Sequence, residues 1–169
     1  MAIGASNTSA DDVAAYVAAG QLDAIQEEYS MVKRDIETSL LPLCAEHGVS
    51  ALSYSSLALG LLSGKIGPDR EFLGDDQRKD NPRFSMANRK KIAALMEQIS
   101  PVAEAHNATL AQTVIAWTVQ QPGITFSLCG ARTADQAREN AAAGRIRLSQ
   151  QDIKTITAAA GTHLTNLDG

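Results

Sequence analysis

Val49-Ser50-Ala51-Leu52-Ser53-Tyr54 is the stretch on which the reading of the whole chain turns. It is apolar apart from its two serines, starts just after Gly48 and ends on an aromatic residue. Runs of this kind are typical of parallel strands covered on both faces. Upstream, residues 34–47 read as a helix, because Ile36, Leu40, Leu43 and Cys44 recur three or four positions apart and Gly48 stops the run. Residues 22–26 read as an earlier strand. Before them a helix begins near Ala10 under a Ser9 or Thr8 cap, carries early acids at Asp11 and Asp12, and stops at Gly20. The apolar run 2–5 reads as the first strand.

Downstream, a mostly polar segment from residue 60 to about 84 carries Gly64, Gly67, Pro68, Gly74 and Pro82. A loop of this length is functional or disordered. Residues 86–107 read as a helix with Ser100-Pro101 as its candidate break, and Thr109 caps a further helix over 110–121. Residues 124–129 read as the fourth strand. Thr133 then caps a helix over 134–143, and Ser149 caps one running from 150 to about 160 with an acid at Asp152. The polar tail reads as loose. Four strand-helix units joined by long connections imply an α/β fold with a parallel four-stranded sheet. Two architectures fit: an open doubly wound sheet, or a contiguous part of a (β/α)8 barrel. The glycine-rich dinucleotide signature follows none of the strands, and periodicity does not separate the two.

The composition is that of an ordinary globular domain. Of the 169 residues, 44% are hydrophobic and 20% charged, which excludes a disordered or disulfide-stapled chain. The net charge of −4 and the absence of any basic block longer than Arg89-Lys90-Lys91 argue against nucleic acid and anionic membrane as partners. No apolar run approaches a bilayer span and no leader is evident, so a cytoplasmic location is expected. Cys44 and Cys129 have no metal-site or redox spacing and read as buried thiols.

In either architecture ligands bind at the carboxyl ends of the strands. Those positions are Ser6-Asn7, Gln26-Glu27-Glu28-Tyr29, Tyr54-Ser55-Ser56-Leu57 and Gly130-Ala131-Arg132-Thr133. The first three supply amides, hydroxyls and an aromatic face, suited to a flat polar heterocycle. The fourth supplies a glycine, the amides of a helix start and an arginine, suited to an anion. Plainer readings also exist: Ser6-Asn7 as a helix cap, and Tyr54 as packing at a strand end. Gly64-Lys65 is no phosphate-binding loop, since Leu59 stands where its first glycine belongs and Ile66 where its Ser or Thr belongs. His47 and His106 sit near helix ends, where the dipole explains them, and His163 falls in the tail. No Ser-His-Asp order, carboxylate pair or metal-ligand cluster stands out.

As a set, these motifs resemble the aldo-keto reductases. The resemblance rests on residues 3–7, 26–34, 41–44, Tyr54-Ser55-Ser56-Leu57-Ala58-Leu59-Gly60-Leu61-Leu62-Ser63-Gly64-Lys65, Ala116-Trp117 and 130–140, in that order and spacing. It covers nearly the whole chain. It implies that the four strands correspond to strands five to eight of the barrel, hence a half of a (β/α)8 TIM barrel with flanking helices, in one domain over 1–169. It also implies a nicotinamide cofactor, usually NADP(H). Ser6, Asn7 and Gln26 then correspond to the groups that hold the carboxamide, and Tyr54 to the ring that stacks on the nicotinamide. By the same resemblance, Ser55, Leu57, Gly60 and Lys65 fall in the segment expected to lie over the pyrophosphate. Gly130, Ala131, Arg132, Gln136, Glu139 and Asn140 correspond to the segment for the adenosine and its 2′-phosphate, with Arg132 as the phosphate's partner.

Cys129 and Ser56 each replace a proline common in the family. A larger departure concerns the acid. The family's catalytic Asp, Tyr, Lys and His belong to the first four β-α units, so no catalytic residue is expected among these four, and hydride transfer to a carbonyl needs a proton donor. The segment from 60 to 84 is expected to clamp the cofactor or be disordered. A half-barrel also exposes two sheet edges and half an interior. Self-association into a homo-oligomer, or pairing with a separate N-terminal half, is the expected consequence. Alternatively, the chain is a structural half-barrel that self-associates and binds no cofactor.

Overall fold

Alternation along each strand sorts the chain into a helix-covered side and an open side. The computed structural model describes residues 1–167. Its elements run β1 (Gly4–Ser6), α1 (Ala10–Ala19), β2 (Ala24–Glu28), α2 (Leu40–Glu46), β3 (Ser50–Tyr54), α3 (Met86–Ala105), α4 (Leu110–Val119), β4 (Ile124–Leu128), α5 (Ala134–Ala143) and α6 (Gln150–His163). The sheet order is β1-β2-β3-β4 and every pairing is parallel. Successive side chains of a strand point to opposite faces. Ile25 and Ala51 therefore face the helices and are buried with Val13, Leu41 and Cys44 of α1 and α2. A second core lies among α3, α4 and α6, around Trp117, Leu95, Ile99 and Ile156.

The alternate residues form the concave face. Ser6, Gln26, Leu52 and Phe126 lie abreast across the four strands, followed one layer higher by Glu28, Tyr54 and Leu128. This face has no cover within the described chain: Phe126 is 58% exposed and Leu128 41%. Between Ala51 and Leu52 the register with β4 slips by a residue, and the bulged Thr125 accepts the Ala51 N–H through its hydroxyl at 3.2 Å. No helix among the described residues is long and apolar enough to cross a membrane.

Helix starts follow the capping residues. Ser9, Thr109 and Ser149 form capping boxes with Asp12, Gln112 and Asp152, and Thr133 caps α5. Elsewhere tertiary contacts shift the boundaries. β2 runs two residues later than the pattern predicts, because Glu27 is buried in the strand with a partner: its carboxylate accepts the Thr8 N–H at 2.7 Å and hydroxyl at 2.8 Å. The helix expected over 34–47 is only seven residues long. Its first part is a 3-10 turn over Asp35–Glu37, where Glu37 accepts both Arg34 (2.8 and 2.9 Å) and the Tyr29 hydroxyl (2.5 Å).

α3 passes through Pro101 without a break. Pro101 is on the exposed side, where water can serve the carbonyl it leaves unbonded, while buried Ile99, Val102 and Ala103 hold the axis. Cys44 is buried as expected, whereas Cys129 is only half-buried. His163 belongs to the last turn of α6 rather than to the tail, and pairs with Gln98 at 2.7 Å. Of the tail expected to be loose, Asp168 and Gly169 lie outside the described residues; the Asn166 carbonyl accepts Lys91 Nζ at 2.7 Å.

Candidate functional site

Four of the expected residues meet at the carboxyl ends of β1, β2 and β3. Ser6 donates its hydroxyl to the Gln26 carbonyl at 2.9 Å, and the Asn7 N–H reaches the same oxygen at 3.1 Å. Tyr54 donates its hydroxyl to Asn7 Oδ1 at 2.6 Å. Gln26 is exposed on the concave face. Amide, hydroxyl and aromatic surface are thus set side by side on a rigid sheet.

The backbone here is unusual. Asn7 (φ 55°), Ser55 (58°), Ala58 (47°) and Leu59 (56°) are left-handed without being glycine, and Gly60 (89°) extends the run. Such conformations cost of order 1 kcal/mol each or more and concentrate at functional sites. Here the Ala58 N–H serves the Ser55 carbonyl at 2.7 Å and the Gly60 N–H the Leu57 carbonyl at 2.9 Å, so the left-handed residues close a tight turn after β3.

From there a cavity of about 1130 Å³ opens between the residues after β3 and those after β4. Ser55, Leu57, Gly60 and Lys65 line one wall, and Gly130, Ala131, Arg132, Gln136, Glu139 and Asn140 the other. Three of these hold the wall itself. Asn140 donates to the Gly130 carbonyl at 3.1 Å, and Gln136 Oε1 accepts the Arg132 N–H at 2.8 Å. Glu139 accepts Lys65 Nζ at 3.3 Å and the Thr109 hydroxyl at 2.9 Å. The guanidinium of Arg132 forms no ion pair among the described residues. A Cβ on Gly130 would meet nothing within 4 Å, so the wall is open there.

A third wall comes from the segment expected to clamp a cofactor or be disordered, through residues that the sequence does not single out: Leu73, Asp75, Asp76, Gln77 and Arg78. That segment is tied down. Buried Arg89 donates to the Gly67 and Arg70 carbonyls at 3.1 and 2.6 Å. The guanidinium groups of Arg78 and Arg89 lie 4.7 and 5.5 Å from the Phe72 ring, which packs edge-on against Phe84. Arg78 binds Asp76 through two nitrogens, at 2.8 and 2.5 Å, and its hydrogen bonds hold the Asp76 carboxyl at about 2. Arg83 pairs with Glu28 at 3.2 Å beside a smaller cleft of about 380 Å³ that Tyr54 also lines. No periodicity or short motif marks these residues, because their placement depends on side-chain anchors many positions away.

A parallel sheet with helices on one side and polar side chains gathered at its carboxyl ends is a β/α-barrel arrangement in which the barrel is half present. The match to known proteins is specific. The Aldo/keto reductase family model matches residues 1–160, and the chain belongs to that family. It is 37% identical over 151 residues to the NADH-specific methylglyoxal reductase of Escherichia coli, covering 89% of this chain and 46% of that protein. It is 31% identical to the aldo-keto reductase YhdN of Bacillus subtilis over 92% of this chain and 47% of the relative. Among solved structures, a glycerol dehydrogenase from Gluconobacter oxydans superposes with a TM-score of 0.90 at 28% identity, over 98% of this chain and 50% of that one. The chain thus spans about half the length of the relatives it matches.

Proposed function

We propose that this chain carries the nicotinamide-dinucleotide-binding half of an aldo-keto reductase, an oxidoreductase acting on aldehydes or ketones. The observation that carries the proposal is the joining of Ser6, Asn7, Gln26 and Tyr54, through a run of left-handed backbone, to the cavity walled by residues 130–140. The donor set fits the group. Hydroxyl and amide groups suit a carboxamide, the Tyr54 ring offers a face to the nicotinamide, and the open guanidinium of Arg132 is the partner for a 2′-phosphate when the ligand is NADP(H). When bound, the cofactor supplies the hydride. The residues of this chain bind and orient it; the Tyr54 hydroxyl donates a hydrogen bond to Asn7 Oδ1, which holds the ring in place as a stacking surface.

The proton donor is supplied from outside these four β-α units, and this chain alone is inactive as a reductase. The partner is four further β-α units that cover the concave face, or a second copy that covers it in the same way; the exposed Phe126 and Leu128 support either. Nicotinamide dinucleotide titrated into the 169-residue chain by calorimetry is expected to give saturable binding near one per chain. Absence of saturable heat would favour the alternative of a structural half-barrel without a cofactor.

A further inference from the structure

Parallel pairing between β3 and β4 ends at Tyr54 and Leu128. Beyond that level the two facing walls of the larger cavity separate, the turn from Ser55 to Gly60 on one side and the segment from Cys129 to Asn140 on the other. Among the described residues no main-chain hydrogen bond joins these two walls. Side chains join them instead, at two levels. At the rim, Lys65 reaches Glu139 at 3.3 Å, but the lysine is largely exposed and salt screens such a pair. At the floor, Ser56 Oγ lies 2.5 Å from Ser127 Oγ.

The floor contact is sheltered from water, with Ser56 buried and Ser127 half-buried. A hydroxyl both donates and accepts, so each serine can serve two partners. Ser127 Oγ is also 3.5 Å from Cys129 Sγ, at the start of the second wall. Ser56 lies within the turn that the Ala58 N–H closes on the Ser55 carbonyl. A third serine differs in kind: Ser53 donates to the Phe126 carbonyl at 3.2 Å, which ties strand to strand below the cavity. We propose that the Ser56–Ser127 bridge positions the two walls for a ligand that spans both. Ser127 acts through its neighbours, since its side chain lies outside the cavity lining. This rests on the dinucleotide-binding reading above, in which the first wall meets the pyrophosphate and the second the adenosine. A ligand held by two walls at once gains affinity only when their separation matches its own span. A mononucleotide that uses one wall is indifferent to that separation.

The test is a set of calorimetric titrations of the 169-residue chain with NADH and with AMP. Ser127→Ala weakens NADH about fivefold or more and leaves AMP within about twofold. Ser56→Ala does the same from the other end of the bridge, and the double variant binds NADH no worse than the weaker single one, because each removes the same bond. Ser127→Thr keeps the hydroxyl and restores NADH binding. Ser53→Ala removes a buried hydroxyl of the same strand ends without breaking the bridge, so it lowers thermal stability and leaves NADH within about twofold. NADH affinity unchanged in Ser127→Ala, an additive double variant, an equal loss in Ser53→Ala, or an equal loss of AMP overturns the proposal while leaving dinucleotide binding intact. Failure of both NADH and NADPH to bind the unaltered chain overturns the reading beneath it, and the proposal with it.

Discussion

Tyr54 has two roles that substitution can separate. Its hydroxyl holds Asn7 Oδ1, while its ring is the face offered to a nicotinamide. Tyr54→Phe keeps the ring and loses one hydrogen bond, so a stability loss near 1 kcal/mol and a dinucleotide affinity within about threefold are expected. Tyr54→Ala removes the stacking surface and weakens binding about tenfold or more. A second residue-scale prediction concerns acid. Hydrogen bonds from the Ser149 hydroxyl and then His106, with the Ser149 N–H, hold Asp152 below the ordinary carboxylate range. Its stabilising contribution is therefore complete above the unfolded value of about 4 and is lost as pH falls through that value and below. In denaturant melts, Asp152→Asn should be less stable than the unaltered protein at pH 7 and converge with it near pH 2. That Ser6, Asn7, Gln26 and Tyr54 lie together was open to reading from the sequence, because the carboxyl ends of adjacent parallel strands sit side by side. The place of Asp75 and Asp76 was not, because Arg89 and Phe72 set their position through tertiary anchoring.

Among the elements, those read best are the ones whose limits lie in local chemistry. Caps at Ser9, Thr109, Thr133 and Ser149 fix four helix starts. The limits that escaped are set at a distance: Glu37 recruits Tyr29 and Arg34 and converts a helical turn to 3-10, and buried Glu27 extends β2 past the point where its polarity predicts an end. Two elements make sharp predictions. Trp117 on α4 is fully buried, stacks on Tyr29 with ring centroids 6.2 Å apart and donates its indole N–H to Thr157 at 3.0 Å. Trp117→Ala should cost about 3–5 kcal/mol in urea unfolding. Gly64 leads out of the turn after β3 with φ 74°, and a Cβ there would come within 2.6 Å of Leu110 Cδ1. Gly64→Ala should destabilise by more than about 1 kcal/mol, from backbone strain together with the clash against α4.

At the scale of the molecule, the half-barrel follows from the strand count and the parallel order, and both were accessible from the alternation of apolar runs and capped helices. Choosing a barrel segment over an open sheet required the motif set as a whole, since periodicity is the same in both. The open concave face has a consequence in solution. If further β-α units or a second copy cover it, the chain alone should associate with rising concentration in sedimentation velocity, and Phe126→Lys should shift it toward monomer. The central claim is that the four strand ends of this half-barrel form a dinucleotide site. Calorimetric titration with NADH tests it most directly. The account predicts a saturable isotherm near one ligand per chain that Tyr54→Ala weakens about tenfold; a flat isotherm, or binding that Tyr54→Ala leaves unchanged, would contradict it.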